Sequence, residues 1–244
     1  MILTTMSMTK EVAKSIEDFR TKVAETAEGI VFRVFPNKAS YLLELTGLIE
    51  SMNAQDSPYQ LSQAATSTDT TVHPPPSSTE TNGSSNKLPR PSHLNETVNA
   101  RYPERVHANK LISKLHETVK LECAQLSDSC DKVKLWVNLT MPNGVQIQEE
   151  VLSELLRSQE SAYNIRDAAR QHHLARAKIC SKLIKYPHIE DYTLGLKEHD
   201  EKQFFFSRQN LIDMRNVYAV LTDILHKNIA KIRAPKGNNG VGLY

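Results

Sequence analysis

Glycine is scarce in this chain of 244 residues: there are eight, three of them in the last eight positions. A β-rich domain or a phosphate-binding loop needs more glycine for turns and close backbone approach, so neither is expected. Aromatic residues make up only 6%, and hydrophobic residues 39%, below the roughly 45–50% of ordinary globular domains. There is no excess charge of one sign either, since 30 Lys and Arg against 28 Asp and Glu leave a formal +2. A nucleic-acid grip built on bulk charge is therefore not expected. No apolar run approaches the roughly 20 residues a membrane-spanning helix needs. The opening MILTTMSMTKEV lacks the basic and apolar regions of a secretory signal. Neither a membrane nor a nucleic acid is expected as partner.

Cysteine is equally sparse. Cys123, Cys130 and Cys180 are too few for a disulfide framework. On one helix Cys123 and Cys130 would lie about 10 Å apart along the axis, beyond disulfide reach. All three read as reduced thiols of an intracellular protein.

Proline placement divides what is present. Six of the eleven prolines fall between Pro58 and Pro91, and the span 51–100 holds 28 Ser, Thr, Pro, Asn or Gly in 50 residues. Such a stretch buries too little apolar surface to offset its ordering entropy, so it reads as a disordered insert. Elsewhere the apolar spacing is helical. Val12, Ile16, Phe19, Val23, Ile30 and Val34 form a first stripe that bends at Pro36 and resumes with Leu42. A second runs from Leu115 to Val137, and a third from Val145 to Leu183 before Pro187. A fourth runs from Leu211 to Ile232 before Pro235. The expected fold is all-α, an antiparallel bundle of four long helices. Helix 1 occupies 1–50, the insert 51–100, helices 2–4 101–234, and a flexible tail 235–244. Several segments are apolar on more than one line, as at Leu155 with Leu156 or Ile224 with Leu225. A broad core face or self-association into a closed ring would each cover the surplus.

No catalytic constellation stands out. His172 and His173 are adjacent, so on a helix they point about 100° apart, and they read as solvated helix-face residues. A zinc site from His173 and Cys180 would need two more ligands that the sequence does not offer. Glu149 and Glu150 open the third helix, where acidic groups complement the helix dipole. No cofactor, metal or enzymatic activity is expected. Two short features are not helical: the turn Met141-Pro142-Asn143-Gly144 and the tail ending in Leu243 and Tyr244. Simple fraying accounts for such a tail, as does a tethered ligand made of an apolar anchor and a free carboxylate.

Several stretches resemble one family. They are RAKICSKLIKYPHIEDY from Arg176 to Tyr192, VKLWVNL from Val133, GVQIQEE from Gly144, NIAKIRAP from Asn228, the terminal LY and the amino-terminal EVAKSIEDFRTKVAETAEGIVFRVFP. Together they resemble the ring-forming 11S (REG) proteasome activators, especially the gamma type. The resemblance implies a four-helix subunit in a heptameric ring that caps the 20S core proteasome without ATP and without chemistry of its own. It implies docking by Gly242, Leu243 and the carboxylate of Tyr244 into pockets of the core's α-ring. Gate opening would fall to the loop of Met141, Pro142, Asn143, Gly144 and Val145. That loop is several residues shorter than the family pattern; Gly144 and Val145 align, while Asn143 has no unique counterpart. Docking therefore carries over further than gate opening. Two other readings are a helical oligomeric scaffold or adaptor that does not bind the proteasome, and a metal-dependent bundle enzyme using His172, His173 or Glu149. The gamma type is nuclear, but Lys87 and Arg90 are too sparse for an import signal, so nucleus, cytoplasm or both are expected.

Overall fold

The computed structural model describes residues 9–50, 66–74, 104–140 and 146–234, with backbone alone at 48–50. Every regular element among them is helical: α1 (Lys10–Gly29), a π-helical turn (Ile30–Val34), α2 (Phe35–Glu50), α3 (Lys110–Thr140), α4 (Gln146–Lys185) and α5 (Glu190–Arg233). Extended backbone pairs only in an isolated antiparallel bridge between His73 and Arg105 among the described residues. The fold is all-α, as expected.

The helix ends follow local chemistry. Thr9 caps α1, its hydroxyl accepting from the Val12 N–H at 3.4 Å. Asn109 caps α3, its Oδ1 accepting from the N–H groups of Leu111 and Ile112 at 3.1 and 3.2 Å. Pro187 disfavours helical backbone at Tyr186, so α4 stops at Lys185, and a tight turn of four residues leads into α5. Lys182 and Lys185 close α4 while Glu190 and Asp191 open α5, each sign matching the local end of the helix dipole.

The bend expected at Pro36 is a π turn. Proline in an α-helix clashes with the carbonyl four residues back and offers no N–H. Widening the turn relieves the clash, and the Phe35 N–H bonds the Ile30 carbonyl, five residues back. The Val31 carbonyl then has no backbone donor: its α partner Phe35 is engaged, and its π partner is Pro36. His226 of α5 supplies one, its Nε2 donating at 3.0 Å. Arg233 completes this end of α5, pairing with Glu28 at 2.7 Å and lying 5.2 Å over the Phe32 ring.

The chain divides into two compact units. The first comprises 1–51, 117–168 and 208–244; the second comprises 52–116 and 169–207. α3, α4 and α5 contribute residues to each. In the first unit the stripe residues Leu42, Leu126, Leu155, Leu211 and Leu221 are all but fully buried, together with Phe35, which no stripe included. The rings of Phe35 and Tyr218 lie 5.8 Å apart, and Cys123 meets the sulfur of Met214 at 3.6 Å. Cys123 and Cys130 are free and buried. Burial pushes each thiol up to about 12, so they act as packing groups rather than nucleophiles. Lys38 holds the buried Glu122 with both carboxylate oxygens at 2.7 and 2.9 Å.

One expected stripe is not covered. Val12, Ile16 and Phe19 on α1 are 49%, 39% and 51% exposed. An apolar groove of about 250 Å³ lies beside Phe19, lined also by Lys22, Val23, Thr26, Lys132 and Leu135.

In the second unit, residues 66–74 fall inside the expected insert 51–100 yet are structured, which corrects the expectation there. Thr68 is 7% exposed and its hydroxyl donates to Asp200 at 2.9 Å. The polar side chains that argued against burial are what a buried carboxylate requires. The rest of 51–100, the loop 141–145 and the tail 235–244 lie outside the described residues.

The Val31 account has a direct check. His226→Leu should lower the unfolding free energy by about 1 kcal/mol, the usual net worth of such a bond. The loss should be smaller in a Pro36→Ala background, where residue 36 regains an N–H. Urea denaturation of the double-mutant cycle decides it; equal losses in both backgrounds would contradict the account.

Candidate functional site

The polar heart of the second unit is Asp200, which is fully buried. A carboxylate there must be paired and hydrogen-bonded to be tolerated. Arg176, one helical layer along α4, supplies the charge: its Nε donates to Oδ1 at 3.0 Å and its Nη2 to Oδ2 at 3.3 Å. Thr68 adds a hydroxyl to Oδ2, and the Asn109 amide approaches the same oxygen at 3.4 Å. Asn109 thus does two things, capping α3 with its carbonyl and reaching Thr68 and Asp200 with its amide. The remaining Arg176 donor, Nη1, points to Cys180 Sγ at 3.7 Å.

Histidines surround this pair. His172 is 3% exposed, which corrects its reading as a solvated helix-face residue; His173 beside it is exposed as expected. The turn of about 100° between neighbours sends one ring inward and the other outward. The His172 Nδ1 and His199 Nε2 atoms are 3.0 Å apart, with rings nearly parallel at 7°. His116 of α3 meets His172 edge-on at 4.8 Å between centroids. Burial pushes His172 down to about 3, helped by the neighbouring His116, His199, His173 and Arg176. Burial also lowers His199, against the opposing pull of Asp200.

His173 and Cys180, the zinc pair set aside in the sequence for want of further ligands, belong to no metal-ligating group among the described residues. Cys180 faces Arg176 instead, and burial raises its thiol. Glu149 belongs to the first unit and sits exposed at the start of α4, as the dipole reading expects. His199 and Asp200 escaped the sequence reading because adjacent polar residues carry no periodic signal. The docking residues Gly242, Leu243 and Tyr244 and the loop residues Met141, Pro142, Asn143, Gly144 and Val145 lie outside the described residues.

Residues 105–242 match the family described as Proteasome activator PA28, C-terminal. The chain is 31% identical over 257 aligned positions to Proteasome activator complex subunit 3 of Homo sapiens, covering 98% of each chain. It is 32% identical to subunit 3 of Gallus gallus, covering 96% of each. The crystal structure of the 11S subunit of the Plasmodium falciparum proteasome, PA28, superposes with a TM-score of 0.70 at 25% identity, over 97% of this chain and all of that one. The chain belongs to the proteasome activator family, whose members are regulatory subunits and not enzymes. No described helix is long and apolar enough to cross a membrane.

The depressed His172 gives a signed pH dependence. The folded chain keeps the ring neutral down to about pH 3, while the unfolded chain protonates it near 6.5. The unfolded state therefore binds more protons between those values. Stability is full above about pH 6.5 and falls as pH drops toward 3, by up to about 1.4 kcal/mol per unit. His172→Gln should flatten the slope in urea unfolding at pH 7.5 and 5; an unmodified chain equally stable at both would contradict the burial of a neutral ring.

Proposed function

We propose that this chain is an ATP-independent activator subunit of the 20S core proteasome. Copies of it close into a homomeric seven-membered ring and dock their carboxyl ends into pockets of the core's α-ring. The observation that carries the reading is the full-length match to subunit 3 of the activator complex, at 31% identity over 98% of both chains. The uncovered α1 stripe supports self-association: about half of Val12 and Phe19 faces solvent next to an apolar groove. A second copy would remove that surface from water at about 25 cal/mol per Å².

The docking group in this reading is Gly242, Leu243 and the terminal carboxylate of Tyr244. A single tail of three residues binds weakly, because ordering a glycine-rich spacer costs entropy. A ring presents all its tails at once, so each docking event after the first is intramolecular. The loop of Met141, Pro142, Asn143, Gly144 and Val145 would meet the gate, and its short length makes partial opening, or opening through other contacts, the expected behaviour. Location in the nucleus, the cytoplasm or both is consistent with this role.

Purified core particles and a short fluorogenic peptide test the assignment without nucleotide. The full chain should speed hydrolysis and run as a particle near seven subunits by light scattering. Deleting Leu243 and Tyr244 should abolish core binding and stimulation while leaving the ring intact. A chain that is solitary at micromolar concentration would overturn the ring. Core binding unchanged by the deletion would overturn the docking role. Binding without stimulation would place the deficit in the short loop, and grafting a longer family loop after Pro142 should then restore activity.

A further inference from the structure

Two nitrogens and a carboxylate converge in the second unit with no role in the family assignment. One ring nitrogen each of His172 and His199 and an Asp200 oxygen lie within 4.8 Å of one another. The geometry points to a binding site for one divalent transition-metal ion of the zinc type, held by these three groups with a fourth position open to water. The two nitrogens are 3.0 Å apart. Around a tetrahedral ion with bonds of about 2.0–2.1 Å, ligand atoms are separated by about 3.4 Å, so the nitrogens must part by a few tenths of an ångström, the nearly parallel rings must tilt out of their hydrogen bond, and the carboxylate must draw closer.

The donor chemistry selects the ion. Two imidazoles and one carboxylate suit zinc, nickel or copper, whereas calcium and magnesium prefer all-oxygen shells. Each neutral ring keeps one hydrogen, so binding needs a shift of tautomer at the shared N–H···N bond rather than a net loss of protons. The outer shell is already built: Thr68 and Arg176 fix the Asp200 carboxylate, as hydrogen-bonded partners fix metal-ligating carboxylates elsewhere. Arg176 also sets a limit. It shares Asp200 and adds positive charge, so affinity should fall short of that of a closed structural zinc site. The pair His173 and Cys180, set aside from the sequence, is not the ligand set.

The test uses the full chain without any affinity tag, stripped of metal, and the probes are Co²⁺ and Zn²⁺ at neutral pH. One Co²⁺ per chain should bind with the intense visible absorption of a four-coordinate ion, bleached by Zn²⁺. The thiolate-to-cobalt charge-transfer band should be absent, since no cysteine belongs to the set. His199→Gln, at a half-buried ring, should weaken Zn²⁺ binding by at least about tenfold with unchanged circular dichroism. His188→Gln, an exposed histidine outside the cluster, should bind as the unmodified chain does. The weak spectrum of hydrated cobalt in the unmodified chain would overturn the site whatever the variants do. So would a thiolate band, or His199→Gln binding within about twofold of the original.

Discussion

Helices of 31, 40 and 44 residues present a large lateral surface, and part of their apolar side is exposed among the described residues. The consequence is visible at single residues. Leu155 is fully buried while Leu156, one step around α4, is 47% exposed. The α1 stripe of Val12, Ile16 and Phe19 repeats at perfectly good helical spacing, yet about half of each side chain faces water. Uncovered apolar surface of this regularity is a demand for a partner, and a repeated demand on identical chains is met most simply by rotational symmetry. The self-association proposed for this chain draws its physical support from that surplus.

The second unit answers a different constraint, the burial of a charge. Asp200 is tolerated because Arg176 neutralises it and Thr68 occupies a lone pair. Removing one member would leave the others desolvated, which is why such networks specify a unique arrangement even when they add little net stability. The same logic draws 66–74 out of a polar segment and into the structure. His172 pays no charge penalty because it stays neutral, and its hydrogen bond to His199 satisfies a nitrogen that would otherwise be orphaned.

The π turn shows how one residue propagates through a bundle. Pro36 cannot donate a hydrogen bond, the turn before it widens, and the Val31 carbonyl seeks a donor on another helix. His226 therefore fastens α5 to the first helical segment through the Val31 carbonyl, which Pro36 cannot serve with an N–H.

Periodicity in the amino-acid order was enough to place the helices, to end α4 before Pro187, to mark Leu155 and Leu221 as core and to show apolar residues on more than one line of several helices. Those features depend on spacing along a single helix, which a linear string records directly. The family likeness was legible for the same reason, as ordered motifs from Val133 to Tyr192 and beyond. The inward turn of His172, its meeting with His199, the capture of Thr68 by Asp200 and the diversion of Cys180 to Arg176 were not. The His172–His199 and Thr68–Asp200 meetings join residues 27 and 132 positions apart, and no local propensity encodes such pairs. Only the packing of helices, which decides which side of each cylinder is desolvated, selects them.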